Sequence, residues 1–282
     1  MSGRIDLHVH TTASDGQLSP AEVVHAALEI GLTAIAITDH DTTEGIAEAL
    51  AAARGTSLGV IPGVEISADV PGSEVHILGY CLEYRHPDLC RKLAFSRDSR
   101  LHRAQRIIAK LTRMGIPLDW DRVKRIAGDG AVGRPHIARA LLEQGYVSST
   151  DEAFARYIGR NGPAYADRPK MSPGEAVQTI LAAGGLPVLA HPLHATLLIA
   201  ELTRLGLAGL EVYYTGYGPD EVDFLLDLAG KHGLAATGGS DFHGPDVLPA
   251  NELGGIWVPQ ELLEDLRTCH QQRISGMREQ GR

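Results

Sequence analysis

Residues 4–10 read Arg4-Ile5-Asp6-Leu7-His8-Val9-His10. This pattern predicts a β-strand near the start of the chain, and side chains on a strand alternate between its two faces. His8 and His10 therefore point to the same face and could chelate one metal ion. Asp15 follows soon after in the sequence and is a further candidate ligand.

Six more apolar runs recur along the chain, and most of them carry a histidine or an acid at one end. The residues placed in this way are His40 after residues 34–38, Glu65 after 59–64, His76 before 77–80, His191 after 186–190, and Asp241 with His243 after 235–240. The remaining run is residues 209–214. With the N-terminal strand, these positions collect six histidines and three carboxylates. That is more than one ion needs.

Composition sets the class of protein. At 282 residues, of which 44% are hydrophobic, the chain can bury one large core, with or without a small second domain. Its three cysteines are odd in number and form no C-x-x-C pair, which argues against a zinc ribbon or disulfide framework and indicates a reducing compartment. No apolar stretch approaches a membrane span and no signal peptide is evident. We therefore expect a soluble cytoplasmic protein without a membrane partner.

The net charge of −9 is unevenly distributed along the chain. Residues 85–170 contain 18 Lys and Arg against 9 Asp and Glu, whereas the remainder contains 8 basic and 26 acidic residues. A basic segment attracts polyanions, while an acidic body suits divalent cations and repels long nucleic acid. The alternative interpretation is a solvated helical surface whose charges serve only solubility.

Strand-like runs alternate with helix-like stretches before residue 83 and again after residue 171. Ser19-Pro20-Ala21-Glu22 predicts the start of a helix that continues to Ile30, and Thr42 or Thr43 is predicted to begin another that runs through Ala53. Such alternation is typical of parallel β/α units. Between about residues 84 and 170 no convincing strand is found, and the periodicity predicts helices.

Seven predicted strands, most with a polar residue at the C-terminal end, favour a closed or nearly closed barrel. In β/α barrels the active site lies on the face formed by those ends, which explains how distant residues can converge. An open doubly wound sheet is disfavoured, because its ligands would gather at one switch point. No G-x-G-x-x-G or Walker loop is present, so no nucleotide cofactor is indicated. The predicted fold is α/β: a distorted (β/α)7 TIM-like barrel with an inserted small helical domain.

The chain resembles the PHP (polymerase and histidinol phosphatase) family of metal-dependent phosphoesterases. The resemblance covers residues 1–83 and 171–258 and rests on His8-x-His10, Asp15, Thr38-Asp39-His40, Glu65, His76, Ala190-His191-Pro192 and Ser240-Asp241-x-His243. It implies a PHP barrel of residues 1–83 and 171–282, with residues 84–170 as an inserted basic helical domain that caps the substrate. Gly133-Arg134-Pro135-His136 in this insert is similar to the branch that acts on nucleoside 3′,5′-bisphosphates and short oligoribonucleotides.

The family pattern implies a site with three divalent ions. The first ion would lie between His8, His10, Glu65 and Asp241, the second on Glu65, His76 and His191, and the third on Asp15, His40 and His243. Imidazole and carboxylate without thiolate suit manganese, with iron or zinc as alternatives. Glu65 and Asp241 are the implied catalytic ligands, and a hydroxide bridging two ions would attack phosphorus in line.

Two acids flank His40 in the sequence. Asp39 and Asp41 could accept hydrogen bonds that orient this histidine, as metal-bound histidines usually require. Asp41 could instead cap the helix that is predicted to follow. The other histidines on predicted helices are interpreted as surface or packing residues.

Candidate substrate-binding residues are Arg134, His136, Arg168 and Lys170. Arg134 is expected to clamp a phosphate, because a guanidinium presents a planar fork that matches phosphate oxygens. Alternatively, it only pairs with an acid at the start of a helix. His136 could contact the phosphate or donate a proton to the leaving group, and His194 is a second candidate proton donor.

We therefore expect a phosphoesterase that removes the 3′-phosphate of nucleoside 3′,5′-bisphosphates such as adenosine 3′,5′-bisphosphate. Its partner would be a small phosphorylated nucleotide or a short oligonucleotide, and its oligomeric state is open. A 5′→3′ exoribonuclease on short RNA and a histidinol-phosphate phosphatase remain alternatives, although the basic insert favours a substrate with more than one phosphate. A non-catalytic metal-binding module is the last alternative, but a degraded site would typically lack ligands.

Overall fold

The computed structural model describes residues 4–70, 73–128, 132–167 and 171–280. The chain divides into two compact units. The first consists of residues 1–93 and 171–282, and the second consists of residues 94–170.

The first unit is built on one seven-stranded sheet whose strands follow each other in chain order. They are β1 Arg4–Val9, β2 Leu32–Ile37, β3 Gly59–Val70, β4 Ser73–Tyr80, β5 Leu186–Leu189, β6 Gly209–Tyr214 and β7 Ala235–Gly239. Val9 forms an isolated parallel bridge with Phe242, and the His10 N–H donates to the Phe242 carbonyl at 2.9 Å. The last strand thus returns to the first, and the predicted α/β fold with a nearly closed, distorted barrel is confirmed.

One strand departs from the predicted parallel arrangement. β4 runs antiparallel to both β3 and β5, whereas the other neighbouring pairs in the sheet are parallel. The physical reason is that β3 ends at Val70 and β4 begins at Ser73, which leaves no room for the crossover that a parallel pair requires. Because of this reversal, the beginning of β4 lies at the end of the barrel where the parallel strands finish. His76, which pairs with Ser67, therefore reaches that end although it lies in the first half of its strand.

Helices connect most of the other strands. They are α1 Pro20–Glu29, α2 Ile46–Ala52, α3 Pro87–Arg113, α7 Pro173–Ala182, α8 Ile199–Arg204, α9 Pro219–His232 and α10 Glu261–Gln280. α1 begins where predicted, with Ser19 and Glu22 forming a reciprocal capping box. The predicted start of α2 at Thr42 or Thr43 is wrong, since Gly45 occupies its N-cap. Among the described residues, no helix is both long and apolar enough to cross a bilayer.

The core of the first unit lies on both faces of the sheet. On β2, Ala34 and Ala36 pack in one cluster with Leu7, while Ile35 and Ile37 pack in another. Both sets are buried, because alternate residues of a barrel strand face the interior and the surrounding helices. These strands are therefore packed on both faces, which restricts the motion of the residues at their ends.

The second unit is helical, and no strand occurs among its described residues. It contains the later part of α3, then α4 Trp120–Ala127, α5 Arg134–Glu143 and α6 Thr150–Ala153, which continues into a π-helical turn at Phe154–Ile158. Its own core includes the fully buried side chains of Ile107, Leu111 and Ile137. The unit holds 15 basic and 8 acidic residues, against 11 and 27 in the first unit.

Candidate metal centre

The candidate ligands that the sequence scatters over most of its length come together at one end of the barrel. His8 lies in β1 and His10 just after it, while Asp15 lies in the loop that leads to α1. The others are His40 after β2, Glu65 within β3, His76 within β4, His191 after β5, and Asp241 and His243 after β7. Every strand except β6 thus supplies or leads into a candidate ligand.

The first group consists of His8, His10, Glu65 and Asp241. The two histidine Nε2 atoms are 3.1 Å apart, which shows that both rings point to one face of β1. Glu65 Oε2 lies 3.4 Å from the Nε2 of His8 and 3.2 Å from that of His10, and Asp241 Oδ1 lies 3.3 and 3.2 Å from the same atoms. Donors bound at about 2.1 Å to one ion are spaced roughly 3.0–3.4 Å apart. These atoms therefore have the spacing of a coordination sphere.

Two more groups overlap with the first. His10, Asp15, His40 and His243 form one of them, in which His243 Nε2 lies 3.4 Å from Asp15 Oδ1. His40, Glu65 and His76 form the other. His10 and His40 each belong to two groups. This grouping differs from the allocation that we expected from the family pattern, in which neither histidine was shared.

Glu65 is the residue around which the groups meet. Its Oε1 lies 2.8 Å from His76 Nδ1 and 3.4 Å from His191 Nε2, so His191 approaches the centre through this carboxylate. Its Oε2 lies 2.9 Å from His40 Nδ1. The Glu65 side chain is almost fully buried. One carboxylate with both oxygens surrounded by imidazole nitrogens has the arrangement required to bridge two ions.

Several buried polar atoms of the cluster make no hydrogen bond of good geometry within the described part of the chain, although other donor atoms of the cluster lie close to them. They are His10 Nδ1, Asp15 Oδ1, His40 Nδ1 and Glu65 Oε2. A buried donor or acceptor left in this state normally costs about 1–3 kcal/mol. Four such atoms in one cluster, with nitrogen and carboxylate donors and no thiolate, fit a site for divalent transition metal ions.

The histidines of the cluster stabilise the ionised form of its three carboxylates. Burial would raise the pKa of Glu65, but His40, His76 and His8 hold it well below its usual range. Asp15 and Asp241 are shifted in the same direction, because neighbouring histidines outweigh the burial that would raise the pKa of each. The three carboxylates are therefore ionised, as metal ligands must be.

The histidines respond in different ways to the same surroundings. Burial would lower the pKa of His76, but the Glu65 carboxylate outweighs it and raises the pKa to about 10. Burial acts likewise on His10, whose pKa is raised to about 9 by Asp241 and Glu65. For His40, burial prevails over Glu65 and Asp15, and the pKa is lowered. The raised pKa values of His10 and His76 reflect the negative electrostatic potential that the carboxylates create in the centre.

Two buried acids hold the loops that carry the candidate ligands. Asp39 accepts hydrogen bonds from the backbone and hydroxyl of Thr11, each at 2.8 Å, and from the Ser14 hydroxyl at 2.6 Å. Asp6 accepts from the backbone and hydroxyl of Ser240 at 2.9 and 2.6 Å. Asp39 thus fixes the approach to Asp15, and Asp6 fixes the residue before Asp241.

The two acids that flank His40 bind other segments of the barrel. In the described part of the chain, Asp39 bonds to Thr11 and Ser14 rather than to the imidazole. The Asp41 side chain accepts the Ser67 N–H at 3.1 Å. The alternative that Asp41 caps the following helix is wrong, because Gly45 is the N-cap of that helix.

Sequence reasoning missed two residues of the site. Glu211 in β6 is fully buried and lies 2.8 Å from His8 Nδ1. The Tyr214 hydroxyl donates to Asp241 Oδ2 at 2.9 Å. Glu211 interrupts an otherwise apolar strand, and that interruption was the one signal that could have revealed it. Tyr214 carries no comparable signal, because tyrosine at the end of a strand is common.

The backbone is strained at three positions around the centre. His191, Asp241 and Asp41 have φ values of 31°, 56° and 51°, in the left-handed region that residues other than glycine rarely adopt. Such conformations cost roughly 1–3 kcal/mol each and persist where surrounding contacts impose them, often at functional sites. Two of these residues, His191 and Asp241, are candidate ligands, and Asp41 directly follows the candidate ligand His40.

The predicted substrate-binding residues lie in different surroundings, and two of them are outside the described part of the chain. Arg134 is half-buried at the start of α5, with its guanidinium 5.6 Å from the centre of the Phe154 ring. His136 is buried, and its Nδ1 accepts the Gly133 N–H at 2.9 Å, which ties it to the start of the helix. Arg168 and Lys170 lie outside the described residues. His194 is exposed on a 3-10 turn, Pro192–His194, that directly follows His191.

Comparison with known proteins places the chain in a family. Residues 6–153 match the model of the PHP domain. The chain belongs to the PHP domain family. It is 40% identical over 264 residues to the 5′-3′ exoribonuclease Rnm of Escherichia coli, covering 90% of this chain and 89% of the relative. It is 36% identical over 249 residues to the 3′,5′-nucleoside bisphosphate phosphatase of Chromobacterium violaceum, covering 86% and 87%.

The PHP assignment extends to the three-dimensional structure. A solved structure from Bifidobacterium adolescentis, provisionally described as a metal-dependent phosphoesterase, matches with a TM-score of 0.86 and 32% identity. The match covers 95% of this chain and 97% of that one. Both units of the chain therefore have counterparts in a solved PHP-like protein.

Proposed function

We propose that this chain is a metal-dependent phosphoesterase that hydrolyses the 3′-phosphate of nucleoside 3′,5′-bisphosphates, such as adenosine 3′,5′-bisphosphate. The observation that carries the proposal is the overlap of three donor groups on shared residues, of which Glu65 belongs to two. Phosphoryl transfer requires several positive charges close together, and overlapping sites provide them. The C. violaceum relative, which carries the name of this activity, supports the choice of substrate.

Three manganese ions are the proposed occupants, with iron or zinc as alternatives. His8, His10, Glu65 and Asp241 would hold one ion, and the other two overlapping groups would hold the rest, with His191 joining Glu65 and His76. When bound, such ions supply positive charge to phosphoryl oxygens and lower the pKa of coordinated water from 15.7 to about 7. Asp39 and Asp6 hold the loops that carry Asp15 and Asp241 by buried hydrogen bonds, so little reorganisation of these loops is needed on binding.

The chain's own residues have proposed roles beyond holding ions. Glu65 and Asp241 are the catalytic ligands, which would hold the ions in position for the reacting phosphate. Arg134 binds two phosphate oxygens through its guanidinium. His136 or His194 donates the proton that the leaving 3′-oxygen takes up. Arg168 and Lys170, which lie outside the described residues, are proposed to add positive charge for the second phosphate.

The charge distribution supports a small, highly charged substrate. The second unit is basic and the first strongly acidic, which favours a nucleotide with two phosphates over histidinol phosphate and disfavours long nucleic acid. The three cysteines Cys81, Cys90 and Cys269 are free thiols, which agrees with the cytoplasmic location that we propose. A membrane has no part in this proposal.

A 5′→3′ exoribonuclease on short oligoribonucleotides is the second candidate. The observation that favours it is the 40% identity to the E. coli enzyme that bears this name. The same metal centre can serve both activities, since each needs only a phosphoryl group at the ions and a docked nucleotide. The two candidates therefore differ in which substrate is turned over faster.

Substrate ranking tests the proposal. Purified protein with added Mn²⁺ would be given adenosine 3′,5′-bisphosphate, a 5′-labelled oligoribonucleotide or histidinol phosphate, and released phosphate or nucleotide would be measured. We expect the highest kcat/KM for the bisphosphate, with the 5′-monophosphate as the product seen by chromatography. A Glu65→Gln variant purified in parallel reports any contaminating phosphatase.

The outcomes separate the candidates. Faster turnover of the oligoribonucleotide would favour the exoribonuclease, and formation of the 3′-monophosphate would contradict the proposed site of cleavage. If none of the three substrates reacts, the proposed substrate is wrong and a non-catalytic metal-binding module is favoured.

A further inference from the structure

β6 contributes none of the candidate ligands, yet it carries a fully buried carboxylate beside them. Glu211 Oε1 lies 2.8 Å from His8 Nδ1, and Glu211 Oε2 accepts the backbone N–H of His191 at 2.7 Å. Both of its oxygens are therefore occupied by groups of two different candidate ligands. His8 belongs to the first donor group and lies near Glu65 Oε2, while His191 approaches Glu65 Oε1.

The contact with His8 selects one form of the imidazole. An ionised carboxylate only accepts hydrogen bonds, so the hydrogen shared with Glu211 must reside on His8 Nδ1. With that hydrogen on Nδ1, Nε2 is the nitrogen left to bind a metal ion, and it faces His10, Glu65 and Asp241. A carboxylate behind a histidine ligand also raises the basicity of the metal-binding nitrogen.

The contact with His191 acts on the backbone instead. His191 adopts a left-handed conformation with φ 31° and ψ 59°, directly before the 3-10 turn that begins at Pro192. A bulky residue needs external contacts to stay in this region. The short hydrogen bond from its N–H to Glu211 is such a contact, and it comes from a neighbouring strand of the same sheet.

We infer that Glu211 is a positioning residue that sets the metal-binding nitrogen of His8 and the backbone of His191 at the same time. It belongs to none of the three donor groups, and both of its oxygens already accept hydrogen bonds from residues of the centre. Loss of its charge therefore weakens metal binding at two places in the centre. The inference rests on the metal centre of the proposed function, but it is independent of which substrate is cleaved.

A Glu211→Gln substitution tests this role without changing the size of the side chain. A glutamine offers one oxygen and one NH₂ group, so it can accept from only one of the two N–H donors and opposes the other. We expect the affinity for Mn²⁺ to fall about 10- to 100-fold, as is usual when the partner of a metal-bound histidine is removed. Titration of the metal-free protein and metal content after gel filtration measure this.

A control variant separates metal binding from folding. Thr179 is a buried residue of α7 whose hydroxyl donates to the Glu175 carbonyl and accepts from Lys92, so Thr179→Val also removes buried hydrogen bonds. The melting temperatures of both metal-free variants are compared with that of the parent chain. We expect both to fold, and only Glu211→Gln to lose affinity. Unchanged Mn²⁺ affinity in Glu211→Gln, or an equal loss in Thr179→Val, overturns the inference.

A second measurement observes the unaltered chain and needs a variant only for signal assignment. In protein loaded with Zn²⁺, a ¹⁵N spectrum of the histidine rings should show His8 with hydrogen on Nδ1 and metal on Nε2. A His8→Asn variant assigns the signal. Hydrogen on Nε2 would overturn the inference. Neither measurement uses phosphate release, so failure of the proposed substrate would leave both results intact.

Discussion

Gly239 is the point at which closure of the barrel can be tested. It is the last residue of β7 and is buried against β1. A Cβ added at Gly239 would lie 2.8 Å from the Cα of His8 and closer still to its N and Cβ. Ordinary contacts begin at 3.4 Å. A Gly239→Ala substitution must therefore push β7 and β1 apart.

The structure sets the scale of the effect. Relief of the contact with His8 Cα alone requires a shift of at least 0.6 Å, which is the difference between 3.4 and 2.8 Å. The atoms involved belong to strand backbones, which cannot rotate away. His8 and Asp241, whose donor atoms lie 3.3 Å apart, would separate by a comparable amount. Displacements near 1 Å cost about 10²-fold in rate, and overpacking costs about 1–3 kcal/mol of stability.

We therefore expect Gly239→Ala to lower kcat/KM for phosphate release about 10- to 100-fold and to reduce bound metal. The assay uses saturating Mn²⁺, with metal content and the melting temperature measured on the same preparation. Gly230→Ala in α9 is the matched control, because its Cβ would meet nothing within 4 Å, and alanine favours a helix by roughly 0.5–1 kcal/mol. Gly239→Ala activity within about threefold of the parent chain, with a full complement of metal, would refute the geometry.

Three further substitutions probe separate parts of the centre. Asp15→Ala should lower the bound metal by about one ion per chain without unfolding the barrel, and an unchanged metal content would show that Asp15 is not a ligand. Tyr214→Phe removes the hydroxyl that bonds Asp241 and should weaken Mn²⁺ binding about tenfold, whereas the control Tyr217→Phe should not; equal effects would count against this role. Arg134→Ala should lower kcat/KM for the bisphosphate about 10- to 100-fold and leave bound metal unchanged, so a loss of metal would contradict its role as a phosphate clamp.

Much of the fold could be predicted from local patterns. The seven strands and the start of α1 follow from apolar runs, Ser19 with Pro20, and the alternation of side chains along a strand. The shared direction of His8 and His10 also follows, since it depends only on the period of a strand. These features involve residues close in sequence, and secondary-structure propensity depends on such neighbouring residues.

Other features depend on which strands become neighbours. The reversal of β4 places His76 at the end where the parallel strands finish, and its residue type says nothing about strand direction. The sharing of His10 and His40 between donor groups arises from side-chain distances rather than from spacing in the chain.

The sequence by itself determined the chemistry of this protein: nine nitrogen and oxygen donors at the ends of successive strands, without a thiolate among them. Only the tertiary structure decided how those donors are held. Glu211 lies 203 positions from His8 in the chain, and Glu65 lies 126 positions from His191. Contacts over such separations depend on sheet register and on barrel closure, which are set by packing of the whole core and are not encoded in any one segment.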